Sequence, residues 1–166
     1  MRHDLSWRTM SAYDLDAVTS IAELVHADYY EAPEVLGEKQ ALYPNGAHLL
    51  ELGERPVGYV LSHPFRSEVV PALNAPLGAL PADADTYYLH DLALLPVARR
   101  MGAGQFIAEV LARHAVARGL ATMSLVAVNG SEGFWARQGF VTADVPELAG
   151  RLLGYDASAR YMVRAL

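Results

Sequence analysis

The chain is 166 residues long, with 52% hydrophobic and 19% charged residues, a formal net charge of −6 and no cysteine. That suits one globular domain over residues 1–166 and excludes disulfides, thiol nucleophiles and thiolate metal sites. No apolar run approaches the roughly 20 residues of a membrane span, nothing signal-like follows Met1-Arg2-His3-Asp4, and the acidic balance argues against nucleic acid, so a cytoplasmic protein is expected.

Trp7-Arg8-Thr9-Met10 reads as a first strand. Ser11 or Asp14 can cap a helix over residues 15–26, where Leu15, Val18, Ile21, Ala22 and Val25 recur at helical spacing. Residues 28–43 are acidic and aromatic, and Pro33 and Gly37 interrupt them, so short helical turns and loop are expected there. Strands follow over residues 47–52 and 56–62, joined by a turn at Gly53-Glu54-Arg55. Residues 63–85 hold Pro64, Pro71, Pro76 and Pro81 and read as a long surface loop, often a lid or binding loop.

Residues 86–94 form the next strand and residues 102–118 a helix with Phe106, Ile107, Val110, Leu111 and Ala115 on one face, closed by Gly119. A strand over residues 120–128 ends at Asn129-Gly130, a short helix over 131–137 ends at Gly139, and strands over 140–142 and 160–166 complete the chain. Antiparallel strands followed by strand and helix in alternation predict an α+β (mixed α/β) fold around one sheet. Charge is uneven along it: residues 1–60 carry ten acids and four bases, whereas residues 61–166 carry nine of each.

Residues 87–104 are the most telling. An apolar strand stops at Pro96, Arg99 and Arg100 follow, and Gly102-Ala103-Gly104 opens an amphipathic helix. The first N–H groups of a helix lack partners and its dipole favours negative charge. Glycines let oxygens approach those amides, and arginines add charge-assisted bonds to phosphate. Gln105-Phe106 after Gly104 excludes the Gly-Lys-Ser/Thr of a P-loop, and Ile107 stands where a dinucleotide fold needs its third glycine. The histidines show no metal-type spacing, so no metal is expected, and Gly130-Ser131-Glu132-Gly133 lacks the spacing of a nucleophile elbow.

Arg99-Arg100-Met101-Gly102-Ala103-Gly104 resembles the Arg/Gln-x-x-Gly-x-Gly/Ala signature of the GNAT superfamily of acyl-CoA-dependent N-acetyltransferases. Leu92-Ala93-Leu94-Leu95-Pro96 is similar to the strand that precedes it. A second block, Asn129 followed by Phe134-Trp135-Ala136-Arg137-Gln138-Gly139-Phe140, resembles that family's Phe-Tyr-x-x-x-Gly-Phe. The resemblance implies a mostly antiparallel twisted sheet flanked by helices.

It also implies acetyl-CoA as co-substrate. The amides of Arg100, Met101, Gly102, Ala103 and Gly104 would hold its pyrophosphate, with Arg99 and Arg100 assisting. A bulge near Leu92, Ala93 and Leu94 would free backbone groups for the pantetheine arm, which Asn129 and Trp135 would also touch. Direct attack by an amine needs a base and a proton for the leaving thiolate. His90 is the candidate base, on a strand face shared with Tyr88 and Leu92, with Asp91 pointing away. The family's usual proton-donating tyrosine aligns with Trp135, which has no such proton, leaving Tyr155 in the C-terminal segment as a candidate beside Tyr161 and Tyr88. Tyr29, Tyr30, Glu31 and Tyr88 are candidates for the acceptor pocket, where acids and aromatics suit a cationic small amine. Protein acetylation and a non-catalytic acyl-CoA sensor are the alternatives, and the hydrophobic content is compatible with a homodimer.

Overall fold

Strand β1 (Leu5–Thr9) leads into a reciprocal cap: the Ser11 hydroxyl accepts from Tyr13 N–H, and Asp14 accepts from Ser11 N–H at 2.8 Å. That cap opens a single 3-10 turn, Ala12–Asp14, which runs straight into α1 (Leu15–Val25). Arg8 of β1 reaches Asp14 at 2.8 Å and, on the neighbouring strand, Glu51 at 3.0 Å. A computed structural model describes residues 4–166; residues 1–3, on which the expectation about a leader partly rests, lie outside them.

The segment expected to be short helical turns and loop contains one continuous helix, α2 (Pro33–Leu42). Pro33 occupies the first turn, where its missing N–H costs nothing. Gly37 is a contact point: a Cβ there would lie 2.9 Å from Leu15 Cδ1, so its absence lets α1 and α2 touch. The two residues read as interruptions are thus a start and a packing device.

The remaining elements are β2 (His48–Leu52), β3 (Arg55–Phe65), β4 (Thr86–Leu94), α3 (Ala103–Ala117), β5 (Thr122–Ala127), α4 (Glu132–Arg137), β6 (Val141–Thr142), α5 (Ala149–Leu153) and β7 (Arg160–Ala165). Helix α5, five residues long, has no counterpart in the sequence reading; too short for a full amphipathic period, it gave no signal. The sheet runs β1-β2-β3-β4-β5-β7-β6, antiparallel except between β4 and β5. This is the mixed, mostly antiparallel sheet expected. Val18, Ile21 and Leu36 of α1 and α2 pack on Leu49, Tyr59, Leu61 and Ala93, while Ile107, Leu111 and Trp135 of α3 and α4 pack on Val60, Tyr87, Leu89 and Leu125 on the opposite face.

Two irregularities in the centre position everything that follows. Parallel pairing of β4 with β5 covers only Tyr87 to Leu89 against Met123 to Leu125, after which the ladder ends. Against β3, Leu89 pairs with Ser62 and Asp91 with Leu61, leaving His90 as an extra, bulged residue. The bulge therefore lies at His90 and not near Leu92 to Leu94, which pair regularly with Gly58 to Val60. One extra residue shifts the side-chain alternation. His90 and Asp91 consequently both meet groups on the α1 side, whereas Leu92 joins the α3 core with Leu89, so the expectation that Leu92 shares His90's face and Asp91 points away is overturned.

Candidate functional site

Where β4 and β5 part, a cavity of about 350 Å³ opens between Leu89, Leu92 and Leu94 on one side and Val126, Val128 and Asn129 on the other. Phe134 and Trp135 of α4 close one wall, and Arg99 stands at one end. His26, His90 and Asp91 also line it, and His26 and Asp91 are shared with two smaller hollows of about 140 and 50 Å³ on the α1 side. The spaces thus adjoin one another through His26 and Asp91, from Arg99 ahead of α3 to the connection between α1 and α2.

At the α3 end the backbone does what the glycine pattern requires. Gly102 caps the helix at φ +80°, and a Cβ there would meet no atom within 4 Å, so the space above it is open. The first helical hydrogen bond in this turn runs from Phe106 N–H to Gly102 C=O, leaving the amides of Ala103, Gly104 and Gln105 outside the helical ladder. Arg100 also sits at positive φ, +62°, while Arg99 Nε donates to Leu94 C=O at 3.0 Å. Met101 is exposed, and Trp7 Nε1 anchors the turn by donating to Ala103 C=O. Gly104 lets α4 close in, since a Cβ would lie 3.0 Å from Phe134 Cζ. These features fit an anionic, extended ligand such as CoA: free amides at the helix start, an arginine beside them, and a β4 edge with no β5 partner beyond Leu89.

At the other end two imidazole–carboxylate pairs stand side by side. His90 Nε2 meets Glu31 Oε1 at 3.0 Å, both side chains being buried. His90 Nδ1 is buried without a partner among the described residues. His26, capping the C-terminus of α1, brings Nε2 to 2.7 Å from Asp91 Oδ1. The angle falls short of a regular hydrogen bond, so this is a close charge contact. Asp91 also accepts from the Tyr59 hydroxyl.

Burial opposes charge on both partners, but each overrides it in the other: His26 is held above the ordinary histidine pKa and Asp91 below the ordinary carboxylate value. Burial and the Asp91 charge push Tyr59 well up. Buried Lys39, whose Nζ lies 4.0 Å from Glu31, is pushed down by desolvation against the pull of that carboxylate.

The candidate acceptor residues converge on the hollows. Tyr29, Tyr30 and Glu31 line the larger one; Tyr29, Glu31, Tyr88 and Tyr155 line the smaller one with His90. Tyr29 is hydrogen bonded to Asp156, which pushes its pKa up to about 12. The Tyr155 hydroxyl donates to Pro71 C=O at 2.8 Å, and burial raises its pKa. Tyr88 is fully buried against His63 and His90.

Residues of the long β3–β4 loop lie over this end. Asn74 N–H donates to Glu31 and Asn74 Oδ1 accepts from Ala32 N–H, while Leu77 and Gly78 N–H groups donate to Glu38. Trp135 both fills the core, edge-on to Phe134 and Phe140, and lines the cavity.

The sequence gives His26 and Asp91 no part in the chemistry and no reason to meet. They are 65 positions apart, and only the bulge at His90 turns Asp91 towards α1. The sole signal was compositional, a histidine at the end of the first helix, just ahead of the acidic, aromatic stretch.

Comparison with known proteins agrees with the geometry. The model of the acetyltransferase (GNAT) family matches residues 11–140. No curated protein sequence matches the chain. Similar solved structures include the loading GNATL domain of CurA from Lyngbya majuscula, with a TM-score of 0.80 and 12% identity over 97% of each chain. The GphF GNAT-like decarboxylase in complex with isobutyryl-CoA has a TM-score of 0.80 and 17% identity, covering 96% of this chain and 98% of that one. The PaiA N-acetyltransferase from Thermoplasma acidophilum in complex with coenzyme A has a TM-score of 0.69 and 13% identity, covering 98% and 99%. At such identities the structural likeness is one of fold. With the family model spanning most of its length and a split sheet leading to a glycine-opened helix, the chain belongs to the GNAT acetyltransferase family.

Proposed function

We propose that the protein is an N-acetyltransferase that passes the acetyl group of acetyl-CoA directly to the primary amine of a small molecule. The observation that carries this reading is the buried pair of His90 and Glu31 where the split between β4 and β5 meets the hollows on the α1 side. The free amides of Ala103 and Gly104, with Arg99, hold the pyrophosphate; the apolar walls from Leu92 to Leu94 and Trp135 flank the pantetheine arm. Glu31 accepts a hydrogen bond from His90 Nε2–H, which leaves the lone pair on Nδ1, the buried atom with no partner among the described residues. His90 Nδ1 then removes the proton from the attacking amine, directly or through one water. Glu31 is thereby a positioning group for His90, while Tyr29 and Tyr30 shape the acceptor hollow.

Hollows of about 140 and 50 Å³ overlain by the β3–β4 loop suit a small amine better than a polypeptide. The test is release of free thiol from acetyl-CoA across a panel of small amines and N-terminal peptides. Turnover with small amines is expected, and His90→Gln should lower kcat on the order of 10²- to 10⁴-fold with acetyl-CoA affinity unchanged. Turnover confined to peptides would assign the protein-acetylating alternative. CoA binding with no turnover anywhere in the panel would make the chain a sensor.

A further inference from the structure

The leaving group poses a problem that the pair of His90 and Glu31 does not solve. A thiolate departing into a cavity walled by Leu89, Leu92 and Val126 is poorly solvated, so its expulsion is slow unless a proton meets it there. The residue aligned with the family's usual donor is Trp135, whose indole N–H is not acidic. Three of the tyrosines nearby are committed elsewhere, Tyr155 donating to Pro71 C=O, Tyr29 to Asp156 and Tyr59 to Asp91, while Tyr88 lines the smaller hollow on the α1 side and not the cavity between β4 and β5.

We infer that His26 is the proton donor to the departing CoA thiolate, with Asp91 as the positioning residue that keeps it an imidazolium. The inference rests on the acetyl-transfer reading above. His26 lines the cavity and both hollows, so it stands where donor and acceptor spaces meet. Its partner is the residue next to His90 on the bulged strand, so one irregularity supplies both the base and the anchor of the acid.

The groups around His26 are Asp91, His90 and the Leu92 backbone from β4, with Tyr29 and Glu31 after α1; Tyr59 from β3 reaches Asp91, and Lys39 from α2 reaches Glu31. Asp91 and Glu31 favour the imidazolium, and Lys39 is itself answered by Glu31. The ring nitrogens are turned inward, so the exposed part of the side chain is carbon. A half-turn of the ring about Cβ–Cγ puts Cε1 where Nε2 meets Asp91 and swings an N–H toward the cavity, the carboxylate then acting on the imidazolium through its charge.

The step balances. The acceptor nitrogen forms a bond to the carbonyl carbon as the carbon–sulfur bond breaks, and the electron pair leaves on sulfur. The ammonium proton passes to His90, and His26 gives its proton to sulfur, releasing free thiol. Exchange with water then returns a proton to His26 and removes one from His90, so neither is consumed.

The experiment is the pH dependence of acetyl-CoA turnover, with a small amine accepted by the unaltered protein, in His26→Gln and Asp91→Asn. The unaltered protein should lose rate at high pH as His26 deprotonates. His26→Gln should lower kcat on the order of 10²-fold and remove that alkaline decline. Asp91→Asn should move the decline to lower pH. His90→Gln should slow the reaction but keep the decline, which separates the two histidines. A His26→Gln protein that melts like the unaltered one yet keeps the alkaline decline overturns the inference, as does an unmoved decline in Asp91→Asn. The latter decides alone if His26→Gln does not fold. Absence of turnover in the unaltered protein overturns the acetyl-transfer reading itself, a failure distinct from these.

Discussion

His63, beneath the site, shows how a single buried residue sets a pH limit on the whole protein. It is packed against Phe65, Tyr88 and His90, with Nδ1 3.0 Å from Pro64 C=O. Burial, and then the neighbouring His90, push its pKa down from 6.5 to about 3. Folded protein therefore holds His63 neutral while the unfolded chain takes up a proton below about 6.5. His63 thus contributes stability that is present above the unfolded value and is lost as pH falls from about 6.5 to about 3, at up to about 1.4 kcal/mol per pH unit. Denaturant titrations of His63→Gln should show a shallower loss over that window; a parallel curve would remove His63 as the cause. His26 has the opposite sign. Raised by Asp91, its contribution is present below the unfolded value and is lost as pH climbs through the folded one.

Among the elements, the start of α3 was the most legible in the sequence, because everything that makes it is local. Arg99 to Gly104 is one continuous run, and Gly102 stands at the positive φ its type predicts. Arg99→Ala should weaken CoA binding about tenfold, read by calorimetry on the otherwise unaltered protein, and unchanged affinity would exclude a phosphate role for it. Helix α2 was illegible for the opposite reason. Pro33 and Gly37 carry breaker signals, and only contact with Leu15 shows that Gly37 is wanted inside a helix. The bulge in β4 was misplaced by two to four residues because its location is a property of pairing with β3, to which Leu89, His90 and Asp91 give no clue in isolation. The partners of His90 and Asp91 come from 59 and 65 residues away, and spacing rules do not reach that far.

For the molecule as a whole, the acidic first third takes on a different meaning in three dimensions. Asp14 and Glu51 hold Arg8, Glu31 holds His90, and Glu38 holds the amides of Leu77 and Gly78. Much of that negative charge is thus spent joining elements, leaving fewer carboxylates to attract a cation than the composition implied. The bulge has a further meaning when the residues of β4 are simply counted. Its ladder to β3 is in phase on both sides of His90, so the strand carries one residue more than the sheet needs. Deleting His90, rather than replacing it, should therefore leave Leu89 and Asp91 facing as they do and give a folded protein with a more regular strand. With the kink gone, β4 is free to continue its hydrogen bonds to β5 past Leu89, where they now stop. Such a deletion should melt no lower than the parent and lose CoA binding together with turnover. The cavity at the heart of this enzyme fold is, in that sense, the width of one supernumerary residue.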